Sequence, residues 1–339
     1  MRCSRFLALA SCAVLTLATG DARPARANDS SAELSVGGLE FARNADVAME
    51  SEELTITPEL VTVRYRFMNQ SQKPVTLRVA FPLPDIDLAE GDNYAFSTND
   101  PLNFVGFETK VDGRPVKFEI VQRALLNEKD VSEALRSAGL PFLPVGDYHK
   151  RLGELPPDAK EKLVAAGLLT PSGTNPQGQQ LHDATWKVRT AVVRQQTFPP
   201  GKPVTVEHRY RTSLGISFDT PLRRGIRNNK AMEAEVQRYM TDYCLPADFL
   251  RGVDRLAGGA EGNVARLQER RISYVLKTGA NWAGPIKDFR LVVDKGKPDR
   301  LVAFCGDNVR KISPTAFEFK ATDFTPDKDL KILIVGKPD

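Results

Sequence analysis

Histidine is nearly missing from this 339-residue chain, which holds only His149, His182 and His208. No two of them stand at paired-ligand spacing and His-Glu-x-x-His does not occur, so a zinc site would have to gather its ligands from distant loops. Cysteine is scarce as well, with four residues and no Cys-x-x-Cys, which removes the common dithiol redox motif. Gly-x-Ser-x-Gly, Ser-x-x-Lys and the phosphate-loop pattern are all absent. The one glycine-rich run, Gly258-Gly259-Ala260-Glu261-Gly262, follows a helical stretch rather than a strand and reads as a helix-ending loop. Past the N-terminus no segment approaches the roughly 20 apolar residues that a membrane span requires. No catalytic residue declares itself, and no cofactor or metal is expected.

What is present first is a leader. Met1–Arg5 carries Arg2 and Arg5, Phe6–Ala18 is apolar with small interruptions, and Ala25-Arg26-Ala27 has the small-x-small form of a signal-peptidase site. Residues 1–27 therefore read as a secretory signal cleaved before Asn28, which places the mature chain in the periplasm or outside the cell. The alternative is a lipoprotein: Leu9-Ala10-Ser11-Cys12 resembles a lipobox with Cys12 as the acylated residue. The apolar core before Cys12 is short and the chain stays apolar after it, which favours cleavage after Ala27.

The leader also distorts the charge. Residues 28–339 keep all but four of the 47 basic and all but one of the 43 acidic residues, a net charge near +1. A nucleic-acid partner thereby loses the positive field on which such binding rests. Two of the four cysteines go with the leader and leave Cys244 and Cys305. In an oxidising compartment a lone pair is expected to bridge.

The remaining chain is patterned mainly as β-structure with helical insertions. Val61, Val63, Tyr65 and Phe67 alternate with polar neighbours, and Val75, Leu77, Val79 and Phe81 repeat the pattern after a turn-rich Asn69–Pro74. That pair reads as a β-hairpin. Asp112-Gly113 marks a tight turn between strand candidates Phe104–Val111 and Pro115–Arg123. Asn127–Ala138 and Asp158–Leu169 carry helical spacing, and Thr170–Gln180 reads as a loop. Strands resume at Trp186–Phe198 and Val204–Tyr210. The expected organisation is a β-sandwich-like domain over 28–218 with a helical insertion at 124–183. A helical linker at 219–270 and a smaller C-terminal β domain at 271–339 follow.

Candidate site residues are few. Trp282-Ala283-Gly284-Pro285 is the most distinctive short motif; its indole either contacts a sugar or peptide or plugs the end of a core, with the plug favoured. Arg223, Arg224, Arg227 and Lys230 form a basic stretch that would meet an anionic envelope polymer or stand solvated. Asp85, Asp87, Glu90 and Asp92 crowd one loop, but their spacing misses the EF-hand pattern. His208, within a strand pattern, reads as a packed histidine. The best functional expectation is a non-catalytic binding or scaffolding protein whose partner is another envelope protein or polymer. The alternative is an envelope hydrolase using carboxylates brought together by the fold, with Asp85, Asp87 and Asp92 as candidates.

Several runs also carry a resemblance. Asn28-Asp29-Ser30-Ser31, Gly37-Gly38-Leu39, Tyr65-Arg66-Phe67-Met68-Asn69, Ala80-Phe81-Pro82-Leu83-Pro84-Asp85-Ile86 and Asn281–Leu291 are similar to the bacterial domain-of-unknown-function 4424 family. The resemblance spans nearly all the mature chain and implies an exported bacterial protein, without an activity or catalytic residues to carry over. The strand ends and the Val-Asp-Gly turn resemble, more weakly, the N-terminal β-sandwich module of inter-alpha-trypsin inhibitor and vault proteins, which bears on fold alone.

Overall fold

A computed structural model describes residues 30–35, 38–90, 93–258 and 266–338. The leader, including Cys12 and the cleavage site at Ala27, lies outside the described residues, as does Asp92. The fold is mainly β, with 43% strand against 20% helix, so the architecture is set by how its sheets stack.

Two large sheets face one another. One holds Lys129–Asp130, Glu119–Leu126, Lys187–Phe198, Val75–Pro82, Ser30–Ser35 and Gly38–Ala42 in that order, with Ile86–Asp87 beside Lys187–Phe198. The other has eight strands, with Ala316–Phe324, Ile286–Asp294, Val47–Ile56, Leu60–Asn69 and Pro203–Arg211 at its centre. Alternation in Leu60–Asn69 buries Val61, Val63, Tyr65 and Phe67 and leaves Arg64 and Arg66 exposed. Phe81, Val188 and Val192 of the first sheet belong to the same core.

The hairpin expected between residues 60 and 82 does not form. Leu60–Asn69 pairs with Val47–Ile56 and Pro203–Arg211, whereas Val75–Pro82 pairs with Lys187–Phe198 in the opposite sheet. Both segments have one apolar face, and crossing between sheets buries both faces in one core. Asn69 secures the crossing: its amide nitrogen donates to Lys73 O and Phe198 O, each at 2.8 Å, and its Oδ1 accepts from the Ser71 amide at 2.9 Å. The tight turn at Asp112-Gly113 does form, with left-handed φ values of 47° and 75° between the paired residues Val111 and Arg114.

The strands of 271–339 do not stand apart. Ile286–Asp294 runs parallel to Val47–Ile56 within the eight-stranded sheet, so the boundary expected near residue 271 separates no sheet. Leu330–Gly336 instead belongs to a third, five-stranded sheet with Leu301–Phe304, Gln268–Tyr274, Leu214–Ser217 and Asn93–Ala95. One face of this sheet sends Ile272, Tyr274, Ile332 and Ile334 into the main core. The other face packs Leu333 and Val335 against Tyr239, Tyr243, Phe249 and Val253 from helices Glu233–Asp242 and Ala247–Leu256. The span expected to link two domains is thus a helical layer on the third sheet. Cys244 and Cys305 are disulfide-bonded and tie the end of Glu233–Asp242 to the chain leaving Leu301–Phe304.

Among the described residues no helix is long and apolar enough to cross a membrane.

Candidate functional site

A cleft of about 880 Å³ opens where the helical layer meets the third sheet and the exit of strand Val75–Pro82. Its floor comes from period-two alternation in Gln268–Tyr274. Ile272 and Tyr274 point into the core, so Glu269, Arg271 and Ser273 line the cleft, beside Ser217 and Lys331 from neighbouring strands. The roof is one face of helix Glu233–Asp242, whose Glu235, Arg238, Tyr239 and Asp242 follow the i, i+3, i+4, i+7 spacing of a single helical stripe. Leu83-Pro84-Asp85-Ile86-Asp87 forms a side wall, since the prolines end the preceding strand and turn the chain across the opening.

At the floor, Glu269 is fully buried. Tyr239 Oη donates to its Oε2 at 2.9 Å, and Arg271 Nη1 donates to the same oxygen at 2.9 Å. Arg271 Nη1 also reaches Ser217 Oγ at 2.8 Å. Burial pushes the Glu269 carboxyl above its ordinary range, and the contacts with Thr220, Tyr239 and Arg271 offset only part of that cost. Burial likewise raises the Tyr239 and Tyr243 phenols, so both stay protonated donors across the physiological range.

Along the roof, Arg238 bonds Glu235 and faces Asp242 at 3.6 Å, and Lys331 bonds Asp242 at 2.8 Å. The hydrogen bond from Arg238 holds the Glu235 carboxyl below its usual range. Asp85 takes a two-pronged contact from Arg189, with Nη2 to Oδ2 at 2.9 Å, and Asp219 is clamped by Arg223. Asp87 accepts from the Ala89 amide at 3.1 Å. The wall is dense in charge, but nearly every charge is matched by a neighbour.

The residues singled out in the sequence fall differently. Trp282 is not available to a ligand: it is 4% exposed, its ring lies 4.6 Å from that of Phe67 and 5.9 Å from that of Phe198, and it plugs the core away from the cleft. The cause is local. The Ala283 amide bonds Val47 O, and Gly284 turns with φ 77°, which directs the indole inward. Arg223 and Arg224 do not form a bare cationic patch. Arg223 bonds Asp219, while Arg224 and Arg227 converge on Asp254 at 2.9 and 2.7 Å. The stretch thereby fixes the cleft mouth, since Asp219, Thr220 and Ile226 line it. Asp85 and Asp87 do reach the cleft. His208 is buried among the rings of Tyr65, Phe81 and Phe107, and His149 is exposed. Among the described residues no group of three or more histidine, cysteine, aspartate or glutamate side chains is placed to hold a metal.

Sequence reasoning missed Glu269, Arg271, Tyr239 and Lys331. The available signal is the pair of charges two residues apart, Glu269 and Arg271, at the start of an apolar strand pattern that continues through Ile272 and Tyr274.

The chain belongs to the family described as Domain of unknown function (DUF4424), which matches residues 27–333. No curated protein matches it. Among solved structures it is similar to a candidate nutrient binding protein from Legionella pneumophila, at 14% identity and a TM-score of 0.41, covering 87% of this chain and 68% of that one. An M1 zinc metallopeptidase from Deinococcus radiodurans aligns at 11% identity and a TM-score of 0.27, covering 87% of this chain and 43% of that one. Likenesses of this size carry no argument about function.

Proposed function

We propose that this protein is an exported, non-catalytic binding module of the cell envelope, with its ligand seated in the cleft between helix Glu233–Asp242 and the third sheet. The observation that carries the reading is the cleft itself. Its volume of about 880 Å³ lies in the range of small-ligand sites, and most of its carboxylates, Asp87 excepted, are pinned by arginine or lysine rather than poised to move protons. Export is supported by the leader at residues 1–27 and by the disulfide, which suits an oxidising compartment. The ligand would be another envelope component rather than a nucleic acid.

Two measurements test this. N-terminal sequencing and mass analysis of the protein from a periplasmic fraction are expected to begin at Asn28; a diacylated Cys12 would replace release with anchoring, and an intact Met1 would end the export reading. Native mass spectrometry of the same preparation is expected to show a bound small molecule that is lost when the cleft is filled by Ser273→Trp. A mass unchanged by that substitution would remove the cleft as the ligand seat.

A second reading is favoured by one observation, namely that Asp85 and Asp87 line the same cleft as Glu269, whose carboxyl is raised by burial. On that reading the protein is an envelope hydrolase. It requires turnover of an envelope polymer that Glu269→Gln or Asp87→Asn abolishes without unfolding the chain.

A further inference from the structure

We infer that the cleft takes a neutral, polyhydroxylated ligand, a short saccharide. The inference rests on the cleft being the ligand seat and names the chemistry it would select. The wall carries many charges, yet Glu269 is matched by Arg271, Asp242 by Lys331 and Arg238, and Asp85 by Arg189. An anionic ligand entering here would either break one of these pairs or leave its own charge desolvated and unmatched, and a cationic one would find only Asp87, which accepts from a backbone amide rather than from a basic side chain. A neutral ligand with many hydroxyls meets no such penalty. It finds acceptors on the carboxylates and donors on the guanidinium and ammonium groups, and can bond to both without disturbing their pairing.

The uncharged part of the lining has the same character. Ser213, Ser217 and Ser273 add hydroxyls that serve as donor or acceptor, while Val61, Leu83 and Met232 supply apolar surface. A sugar ring presents this combination, with hydroxyls at its edge and C–H groups on its faces. A peptide fits less well. Extended peptides bind by adding to an open sheet edge, and the floor strands here are paired on both sides: Leu214–Ser217 lies between Asn93–Ala95 and Gln268–Tyr274. The floor therefore offers side chains rather than a row of backbone donors and acceptors, and the nearby edge of this sheet is the three-residue strand Asn93–Ala95.

The test is isothermal titration of the purified full chain with cellotriose, maltotriose and triacetylchitotriose as neutral probes, trigalacturonate as an anionic one and trialanine as a peptide. At least one neutral trisaccharide is expected to bind, with an affinity insensitive to ionic strength. Ser273→Trp, which fills the cleft from a position whose own side chain is in no ion pair, is expected to weaken it at least about tenfold while the melting temperature holds. Ser213→Trp serves as a second block should the first fail to fold. Binding of trigalacturonate or trialanine alone, abolished by the tryptophan block, would keep the cleft and overturn the saccharide assignment. Binding that survives both blocks, or no binding by any probe, would overturn the assignment together with the cleft reading beneath it.

Discussion

The Tyr239 hydroxyl donates to Glu269 Oε2 at 2.9 Å and so joins the helical layer to the floor of the third sheet through a fully buried carboxylate. The contact serves two purposes. It sets the height of the roof over the cleft, and it partly compensates a charge that burial penalises. Removing the hydroxyl with Tyr239→Phe leaves the carboxylate to Arg271 and Thr220. The expected loss is about 2 kcal/mol, typical of a hydrogen bond to a charged group, measured as a lower urea midpoint with an unchanged slope.

Glu269 also gives the fold a pH dependence of definite sign. Its carboxyl is raised above the ordinary value of 4.5, chiefly by burial. The folded state therefore holds this proton more readily than the unfolded chain. The associated stability is complete below about pH 4.5 and is lost as pH rises through the folded-state value. Glu269→Gln is expected to flatten that part of the profile, making the difference between wild type and variant shift in the variant's favour from about pH 4.5 up to the folded-state value. Urea titrations at a series of pH values read it directly, and a difference that stays level would contradict the burial argument.

Asp254 works in the opposite direction. Hydrogen bonds from Arg227 and Arg224 hold its carboxyl below the ordinary 3.8, outweighing a modest cost of burial. Its stabilising contribution is present above pH 3.8 and is lost as pH falls through the depressed value. Asp254→Asn is expected to weaken the fold near neutrality and to lose less stability on acidification than wild type. Because Arg227 also bonds Leu222 O at 2.6 Å, the substitution should loosen residues 219–227 first. Hydrogen exchange confined to that segment and the end of helix Ala247–Leu256 is the measurement that checks it.

Trp282 separates a core plug from a ligand contact. A tryptophan at a binding surface can be removed with little change in stability. One that touches Phe67 and Phe198 at 4% exposure leaves a cavity when truncated. Trp282→Ala is expected to cost about 3–5 kcal/mol, seen as a large fall in melting temperature, whereas Trp282→Phe recovers much of it.

These contrasts show where the sequence is readable. Alternation marks Leu60–Asn69 and Pro203–Arg211 as strands because each has one buried face, whereas Val75–Pro82 and Lys187–Phe198 are buried on both faces over Val79–Pro82 and Thr190–Arg194. Alternation is silent on which strand pairs with which. The crossing between sheets depends on Asn69 reaching Phe198 O, 129 positions away in the chain. The hairpin of Leu169–Thr174 with Gln180–Ala184 was invisible for another reason. Only Leu169 is buried in its first strand, so no period-two signal exists, and Pro171 and Gly173 disguise the segment as a loop. Helical spacing over Asn127–Ala138 overreached because Asn127 and Glu128 adopt left-handed φ values of 50° and 61°, turning the chain into Lys129–Asp130 before helix Ser132–Ser137 begins. The cleft was half legible. Asp85 and Asp87 stand out as a crowded acidic loop, while Glu269 and Arg271 gain their meaning from a helix that the sequence does not place over them.

The disulfide joins these threads, because it anchors the helix that roofs the cleft. Cys244 stands two residues beyond the end of Glu233–Asp242, and Cys305 directly follows Leu301–Phe304, with a sequence separation of 61. Closing a loop of that length restricts the unfolded chain by about 4 kcal/mol. The double substitution Cys244→Ala with Cys305→Ala is expected to lose stability of that order, and reductant is expected to shift the melting temperature of wild type but not of the variant. The helix is still held by Tyr239 on Glu269 and by Asp242 on Lys331, so the remaining fold should persist. The roof is then the first part to loosen. Hydrogen exchange should rise in residues 233–245 before it rises in Gln268–Tyr274, and equal acceleration in both segments would mean that the bridge stabilises the whole fold without a particular hold on the cleft.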